Sequence, residues 1–570
     1  MNRKKFLRNS SAAAGALLLT PQSIFAQEHV LQKTNLNTTK LKDVNTTSIA
    51  AAITLGLNAI NNGFDADDND IPFNGAAVLP EPHFLFHRFF SEACTAGANL
   101  LGLLKSEEAL KQPSDELAEK KLTNALFFSF SGPIALPLNR HKEKGKPVNF
   151  VPLTLSENLP GLAALVKFRK SEKAQQLMEK CIETIFEYWT PEKGWNANRM
   201  FEKHGINCFQ VFQRYDAPSK IPFITSTGRA LGGLSVYYEV TRSTNALKLI
   251  ELLRDIATTE YFTPDGNYDR EKMGAHSSGI IWILLSLART AIVLKDTNLM
   301  NRVKNFYDNG LKSISNPLGW SPEPLKYFNP DTEGIMDPGR VLETALIIGQ
   351  QDNTDYFQHC EQLLRARLLP SQLRDISWIP PINNTYGLDE YRDVAQRIQG
   401  SWQGATPYGF QPPKDDKLYN GNFTIGGDVH GDVMTSISEA YINATEYDNK
   451  QHKVNLHFDH KTNDIEVKSP YTNHGLRIIP KSPGNILVRL PIWTKQNEVK
   501  VSGGKILPTI KNGYLNIKPD AAEVVIDFPL TKRDLELPYR DKKIRIRMSG
   551  DQVLQMDNLG TELYFFDPYI

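Results

Sequence analysis

The sequence predicts a mainly α protein, a closed ring of helical hairpins, followed by a smaller antiparallel β-sandwich. Three observations predict it. From about residue 45 to 445 apolar residues recur with a helical period, and one plan returns: an apolar helix, a short polar turn, a second amphipathic helix. The turns fall at residues 106, 171, 243, 296 and 353, intervals of 65, 72, 53 and 57, longer than the ~33–47-residue period of common helical solenoids. After Tyr441 the period changes from 3.6 to 2. A single irregular helical bundle is the alternative.

In chain order, the first 26 residues read as an export address. Arg3, Lys4, Lys5 and Arg8 precede the apolar run Ala12–Leu19, then Pro21 and a small residue, Ala26. That is the charge, apolar stretch and cleavage pattern of a secretory signal, too short to span a bilayer. Arg3-Lys4-Lys5-Phe6-Leu7 also resembles a degenerate twin-arginine signal. No later stretch reads as a membrane span. The expectation is an exported bacterial protein, periplasmic or secreted, without a membrane anchor. The helical ring then covers 27–445 as the catalytic part, and 446–570 an accessory sandwich and C-terminal tail.

The helical hairpins are Leu162–Leu165 into Ser171 and Leu177, Leu234–Tyr238 into Ser243 and Leu247, Leu284–Leu287 into Asp296 and Met300, and Leu342–Leu346 into Asn353 and Phe357. A weaker fifth runs from Leu100–Leu104 into Ser106. Ser, Asp and Asn at the turns are helix N-cap formers. The strands are 454–458, 465–468, 487–493, 514–517 and 524–528, punctuated by Gly and Pro.

Composition narrows the function. With 65 Lys+Arg against 64 Asp+Glu the net charge is +1, and removal of the basic leader leaves −3. Such a balance carries no long-range field to hold a polyanion, which excludes a general nucleic-acid binder. The four cysteines, Cys94, Cys181, Cys208 and Cys360, lie far apart with no metal spacing, and read as packing residues.

Chemistry is expected on the long connections, because scaffold positions are spent on packing. Four are rich in polar and aromatic groups: Trp195 to Arg199 with Arg214, Tyr215 and Arg229; Gly274–Gly279 around His276; Gly319 to Arg340, with Trp320, Glu323, Glu333 and Asp337; and Trp402 through Asp428, His430 and Asp432. Each has a plainer reading. His276 can simply cap a helix, the loop acids can be solvated, Gly-Gly-Asp is turn chemistry, and the tryptophans can be core.

The helical ring with a following sandwich, Gly319-Trp320-Ser321-Pro322-Glu323, Thr332-Glu333-Gly334-Ile335-Met336 and Leu487-Val488-Arg489-Leu490-Pro491-Ile492-Trp493 resemble the six-hairpin glycosidases around the bacterial β-L-arabinofuranosidases. The resemblance covers most of residues 220–530 and implies an (α/α)6 six-hairpin toroid. It makes Glu323 the counterpart of the proposed acid/base and Glu333 that of a zinc ligand. In that family a cysteine two residues on and a later Cys-Cys pair complete the zinc site, and one of them is the nucleophile. Here the first position is Ile335, and the later stretch reads Asp428-Val429-His430-Gly431-Asp432. A thiolate nucleophile and a cysteine-rich zinc site require thiolates.

Two chemistries fit the remaining residues. β-Elimination at a uronic acid needs a base, an acid and cations for the carboxylate; His276, His430 and Tyr215 supply the first two, and Arg214, Arg229 and Arg340 the clamp. Inverting hydrolysis needs two carboxylates, drawn from Glu323, Glu333, Asp337 and Asp428. Loss of the nucleophile with His, Tyr and Arg retained makes elimination, by a lyase or dehydratase acting on acidic plant or algal glycans such as those with glucuronate and rhamnose, the leading expectation. Hydrolysis is the alternative, and a non-catalytic glycan binder the third. Trp195, Trp320 and Trp402 are the expected sugar-stacking faces, with Asp428 beside them. The expected partner is an oligosaccharide or polysaccharide; no cofactor is expected, and a divalent metal on His430, Asp428 and Glu333 is left open.

Overall fold

The computed structural model describes residues 48–570 apart from 79–81, 89–90, 142–144, 210–222, 270–271, 273–275, 322–335, 352, 403–423, 509–512, 540–541 and 558–564. The leader therefore lies outside the described residues. Twelve of the described helices build a toroid: α1 (Ile49–Asn62), α2 (Glu92–Leu110), α3 (Glu116–Ser129), α4 (Leu155–Arg169), α5 (Glu172–Tyr188), α6 (Leu231–Thr241), α7 (Thr244–Ile256), α8 (Ser277–Leu294), α9 (Thr297–Asp308), α10 (Met336–Gly349), α11 (Thr354–Leu363) and α12 (Gly427–Ile442). The even-numbered helices pack in a closed inner ring, α2 on α4, then α6, α8, α10, α12 and back to α2. Each odd-numbered helix lies outside, against the inner helix before it, and α1 packs on α12.

Local sequence explains the alternation. Every outer helix starts at a Ser, Asp or Asn whose side chain accepts a backbone N–H of the first turn: Ser48, Asp115, Ser171, Ser243, Asp296 and Asn353. Four inner helices end on a basic residue in the left-handed conformation, Lys111, Lys170, Arg242 and Lys295, which also sets a positive charge at the negative helix end. These tight turns make each inner helix antiparallel to the outer helix that follows, so all six inner helices begin at the same end. There the long connections arise.

The turn expected at Ser106 is displaced. Helix α2 continues to Leu110, and the Ser106 hydroxyl donates to the Gly102 carbonyl inside the helix, 2.7 Å away. Helix α8 is long and apolar enough to cross a membrane by composition, yet it belongs to the inner ring, with 78% of it buried inside the protein. A helix that is apolar all round is explained by burial between neighbours.

The ring closes where α12 meets α2, and glycine permits it. A Cβ on Gly431 would lie 2.2 Å from the Ala98 backbone, and one on Gly97 would lie 2.5 Å from the Glu157 carbonyl oxygen on α4. Neither contact can give way, because both partners are main chain.

From Thr445 the chain is β. Strands β1 (Thr445–Asp448), β2 (Gln451–Val454), β3 (His460–Lys461), β4 (Ile465–Lys468), β5 (Leu476–Pro480), β6 (Asn485–Arg489), β7 (Lys500–Ser502), β8 (Gly504–Ile506), β9 (Tyr514–Pro519) and β10 (Val524–Asp527) form two five-stranded sheets, ordered β1-β2-β6-β9-β8 and β3-β4-β5-β10-β7. Val454, Ile465, Ile478, Val488, Leu515 and Ile526 lie in the core between them. The expected antiparallel pattern holds except at β2–β6, which pair in parallel. Where a tail was expected, β11 (Lys532–Tyr539), β12 (Lys542–Ser549), β13 (Gln552–Met556) and β14 (Asp567–Pro568) make a further four-stranded sheet. Ile544, Ile546 and Met548 of that sheet share a core with Phe73, Leu318, Trp320 and Leu373. All four partners sit on connections that lead into inner helices, so the sheet lies against that end of the toroid.

A buried ionic network ties toroid to sandwich. Glu361 of α11 accepts from Arg365 Nε at 2.9 Å, from the His457 N–H at 3.1 Å, and from Arg489 of β6. Arg489 Nε in turn donates to the Asn455 carbonyl at 2.6 Å. Burial opposes the charge on Glu361, yet Arg365, His457 and Arg489 hold its carboxyl down at about 2. Burial also depresses His359, His430 and His460 to about 4, and His457 to about 3.

Because these folded values lie below the unfolded ones, the stabilising contribution is complete above the unfolded pKa and is lost as pH falls through the folded one. The melting temperature is therefore expected to fall as pH drops from about 6.5 toward 4, and again as Glu361 takes up a proton at lower pH. A melting temperature that stays level from pH 7 to pH 4 in a thermal-unfolding series would contradict this account.

Candidate active site

The first turns of the inner helices converge at the end where the long connections arise, and six helix N-termini carry partial positive charge there. The sequence meets that field with acids: Glu92 on α2, Glu157 on α4, Asp337 on α10 and Asp432 on α12. Two arginines stand among them. Arg340 of α10 is 1% exposed, meets Asp432 Oδ2 at 2.5 Å, donates to Ser278 Oγ at 3.0 Å, and lies over the Trp282 ring at 4.5 Å. The same Nη2 is 3.9 Å from Glu157 Oε1. Arg229 donates from Nε to the Ile224 carbonyl at 3.0 Å, and its Nη2 meets His276 Nε2 at 2.7 Å.

Two carboxylates thus share one guanidinium nitrogen but differ in environment. Asp432 has the direct ion pair. Glu157 does not, and its Oε2 is buried with no hydrogen-bond partner among the described residues. Burial, and then the nearby Asp432 charge, raise the Glu157 carboxyl above its ordinary value, against the opposing pull of Arg229 and Arg340. The two groups thus stand apart: burial raises the Glu157 carboxyl above its ordinary value, while Asp432 has a direct ion pair, an asymmetry of the kind from which acid/base pairs are made.

Below this layer the ring's interior stays polar. Arg289 pairs with Glu343, which also accepts from Ser436 Oγ at 2.7 Å; further along, Lys105 pairs with Glu439 and with Glu108 at 2.7 Å. These pairs join α8 to α10 and α12, and α12 to α2.

The residues singled out from sequence fall in different places. Arg214, Tyr215, Glu323 and Glu333 lie outside the described residues, as does the side chain of Asp428, although its backbone is in the first turn of α12. His276 is the N-cap residue of α8, but its side chain makes no cap bond. Its Nε2 faces Arg229, which only donates, so Nε2 is the acceptor and the ring proton is on Nδ1. Arg229 and Arg340 are buried and occupied by protein acceptors, where the carboxylate-clamp expectation needs them facing a ligand. His430 sits between α12 and α1, its Nε2 donating to the Gly56 carbonyl at 3.0 Å. With Asn99 and Arg397 it lines a cavity of about 40 Å³, room for water and not for a sugar ring.

The tryptophans expected to stack on sugars are core residues. Trp195 donates to Ser226 Oγ at 3.0 Å, Trp402 to the Leu368 carbonyl at 2.8 Å, and Trp320 is 2% exposed under the third sheet. All three rings are covered by the protein, and Trp195 and Trp402 also have their indole N–H satisfied without a ligand.

Glu157 was not among the expected site residues, and Asp432 was named on the fourth connection without a role of its own. The signal for Glu157 was present in Ser156-Glu157-Asn158, three polar residues opening a helix whose next eight positions, Leu159 to Val166, are all buried. An acid in a first turn is ordinary capping chemistry, so only burial distinguishes it.

No protein-family model matches the chain, and no curated protein matches it. Among solved structures it is similar to a GH127 β-L-arabinofuranosidase from Geobacillus stearothermophilus T6, with 14% identity and a TM-score of 0.51 over 91% of this chain and 86% of that one. It is equally similar to a second GH127 β-arabinofuranosidase, with 12% identity and a TM-score of 0.51 over 91% and 83%. At such identities the likeness is one of fold: a six-hairpin helical toroid followed by a β-domain.

Arg340→Met is expected to leave Asp432 buried without its counter-ion and to cost about 3–5 kcal/mol of stability. Asp432→Asn in the same background is expected to recover much of that loss, and urea unfolding of the two variants measures both.

Proposed function

We propose that the protein is a carbohydrate-active enzyme that hydrolyses a glycosidic bond at the end of the toroid where the inner helices begin. The observation that carries this reading is the buried Glu157 carboxyl, raised above its ordinary value beside the Arg340-paired Asp432, on a scaffold whose fold is similar to that of GH127 arabinofuranosidases. Glu157 is the general acid: it gives its proton to the leaving glycosidic oxygen as the bond to the anomeric carbon breaks. Asp432, pinned by Arg340, is a positioning residue that keeps the proton on Glu157. The carboxylate that activates water is drawn from the connection between α9 and α10, where the sequence supplies Glu323 and Glu333.

Elimination draws less support from the geometry. It needs cations aimed at a uronate, and of the expected clamp Arg229 and Arg340 bond to the protein, while Arg214 lies outside the described residues. It also needs a base and an acid: of His276, His430 and Tyr215, the Nε2 atoms of both histidines are in use, and Tyr215 lies outside the described residues.

The experiment is a panel of arabinose-, rhamnose- and glucuronate-rich glycans and uronic-acid oligosaccharides, read for new reducing ends and for the ultraviolet absorbance of a C4–C5 unsaturated uronate. New reducing ends without that absorbance are expected. Glu157→Gln is expected to lower the rate by about 10²–10⁴-fold with an unchanged melting temperature, and the wild-type rate to fall as pH rises past the Glu157 pKa. An unsaturated product would replace hydrolysis with elimination, and full activity in Glu157→Gln would remove Glu157 from the acid role.

A further inference from the structure

A second cluster of ionisable groups lies on the connection from α1 to α2, separate from Glu157 and Asp432 in sequence and in hydrogen bonding. Asp65 ends a short strand, Phe64–Asp65, and opens a tight turn in which its Oδ1 accepts from the Asp67 N–H at 2.9 Å. Its Oδ2 meets His87 Nε2 at 3.1 Å. Asp68, in the same turn, is 1% exposed; its Oδ2 takes Arg140 Nη1 at 2.7 Å, while its Oδ1 is buried with no hydrogen-bond partner among the described residues. The His87 ring is stacked on Phe73 at 4.7 Å, its side chain 8% exposed, with Nδ1 likewise buried and without a hydrogen bond. One donor atom from each of Asp65, Asp68 and His87 lies within 4.8 Å of the other two.

The charges in this cluster do not balance. Glu92 completes it, with Arg140 Nε on Oε2 at 2.7 Å and its Oε1 3.6 Å from His87 Nδ1. Three carboxylates surround one guanidinium and one imidazole. The His87 ring stands between two of the carboxylates, Nε2 on Asp65 at 3.1 Å and Nδ1 3.6 Å from Glu92, so its Nδ1 and the unpaired Asp68 Oδ1 are donor atoms left over for a cation. A buried excess of negative charge needs a counter-charge.

We propose that Asp65, Asp68 and His87, with Glu92 beside them, form a binding site for one divalent transition-metal ion of the Zn²⁺ or Mn²⁺ kind. A donor set with imidazole nitrogen suits these ions better than Ca²⁺, which takes oxygen ligands. Two positive charges neutralise the excess of the three carboxylates over Arg140. The ion ties the start of α2 to the turn after α1, and through Arg140 to the strand Leu138–Arg140 on the connection between α3 and α4. The site is independent of the hydrolase reading.

The test uses the full chain, stripped with a chelator and titrated separately with Zn²⁺, Mn²⁺ and Ca²⁺ by calorimetry, with metal content measured after dialysis. One Zn²⁺ or Mn²⁺ per chain and a raised melting temperature are expected, with Ca²⁺ weaker. Asp65→Asn/Asp68→Asn is expected to weaken binding about tenfold or more. No uptake by the wild-type chain overturns the proposal, and so does undiminished uptake by the double variant. If that variant does not fold, the visible spectrum of Co²⁺ added to the wild-type chain decides: a protein-bound spectrum that His87→Gln alters supports the site, and the spectrum of the aqueous ion overturns it.

Discussion

The contact on which the rest of the structure depends is main chain against main chain, where Gly431 of the last inner helix meets Ala98 of the first. Twelve helices joined in sequence would otherwise form an open arc. Closure brings residues more than three hundred positions apart to one axis, and it brings six helix N-termini to one end. A side chain at Gly431 would displace backbone, so the ring tolerates no substitute there.

Closure also dictates the electrostatics. Converging helix N-termini favour carboxylates, and desolvation inside the ring then penalises their charge. Asp432 resolves the conflict through Arg340, and at Glu157 it raises the carboxyl above its ordinary value. The deeper pairs, Arg289 with Glu343 and Lys105 with Glu439, meet the same requirement along the axis. Polar contents of this kind are costly when one partner is lost, which ties the integrity of the scaffold to that of the site. The β-sheets are bound into the same economy through Glu361 and Arg489, and the last sheet covers the connections around Trp320.

Four tight turns were readable where they fall and a fifth was placed a few residues early, at Ser106 inside α2; the ring has six hairpins for a simple reason. The sixth pairs α12 with α1, the last helix of the ring with the first, so no turn joins them and no local signal marks the pairing. Cap residues such as Ser171, Ser243 and Asp296 announce themselves because their bonds are local. The final sheet read as a tail because its apolar face, Ile544, Ile546 and Met548, finds its partners at Phe73, Leu318, Trp320 and Leu373, on connections far earlier in the chain.

By itself, then, the sequence determined the helical period, the capped outer helices, the change to strands after Tyr441 and the fold class, all of which rest on bonds between near neighbours. The tertiary structure decided which polar residues are chemical. It sent Trp195, Trp320 and Trp402 into the core and His430 against the Gly56 carbonyl, and it buried an ordinary first-turn acid, Glu157, so that its carboxyl is raised above the ordinary value. Charge state is set by burial and by the nearest opposite charge, and both are properties of the closed ring, not of any segment that builds it.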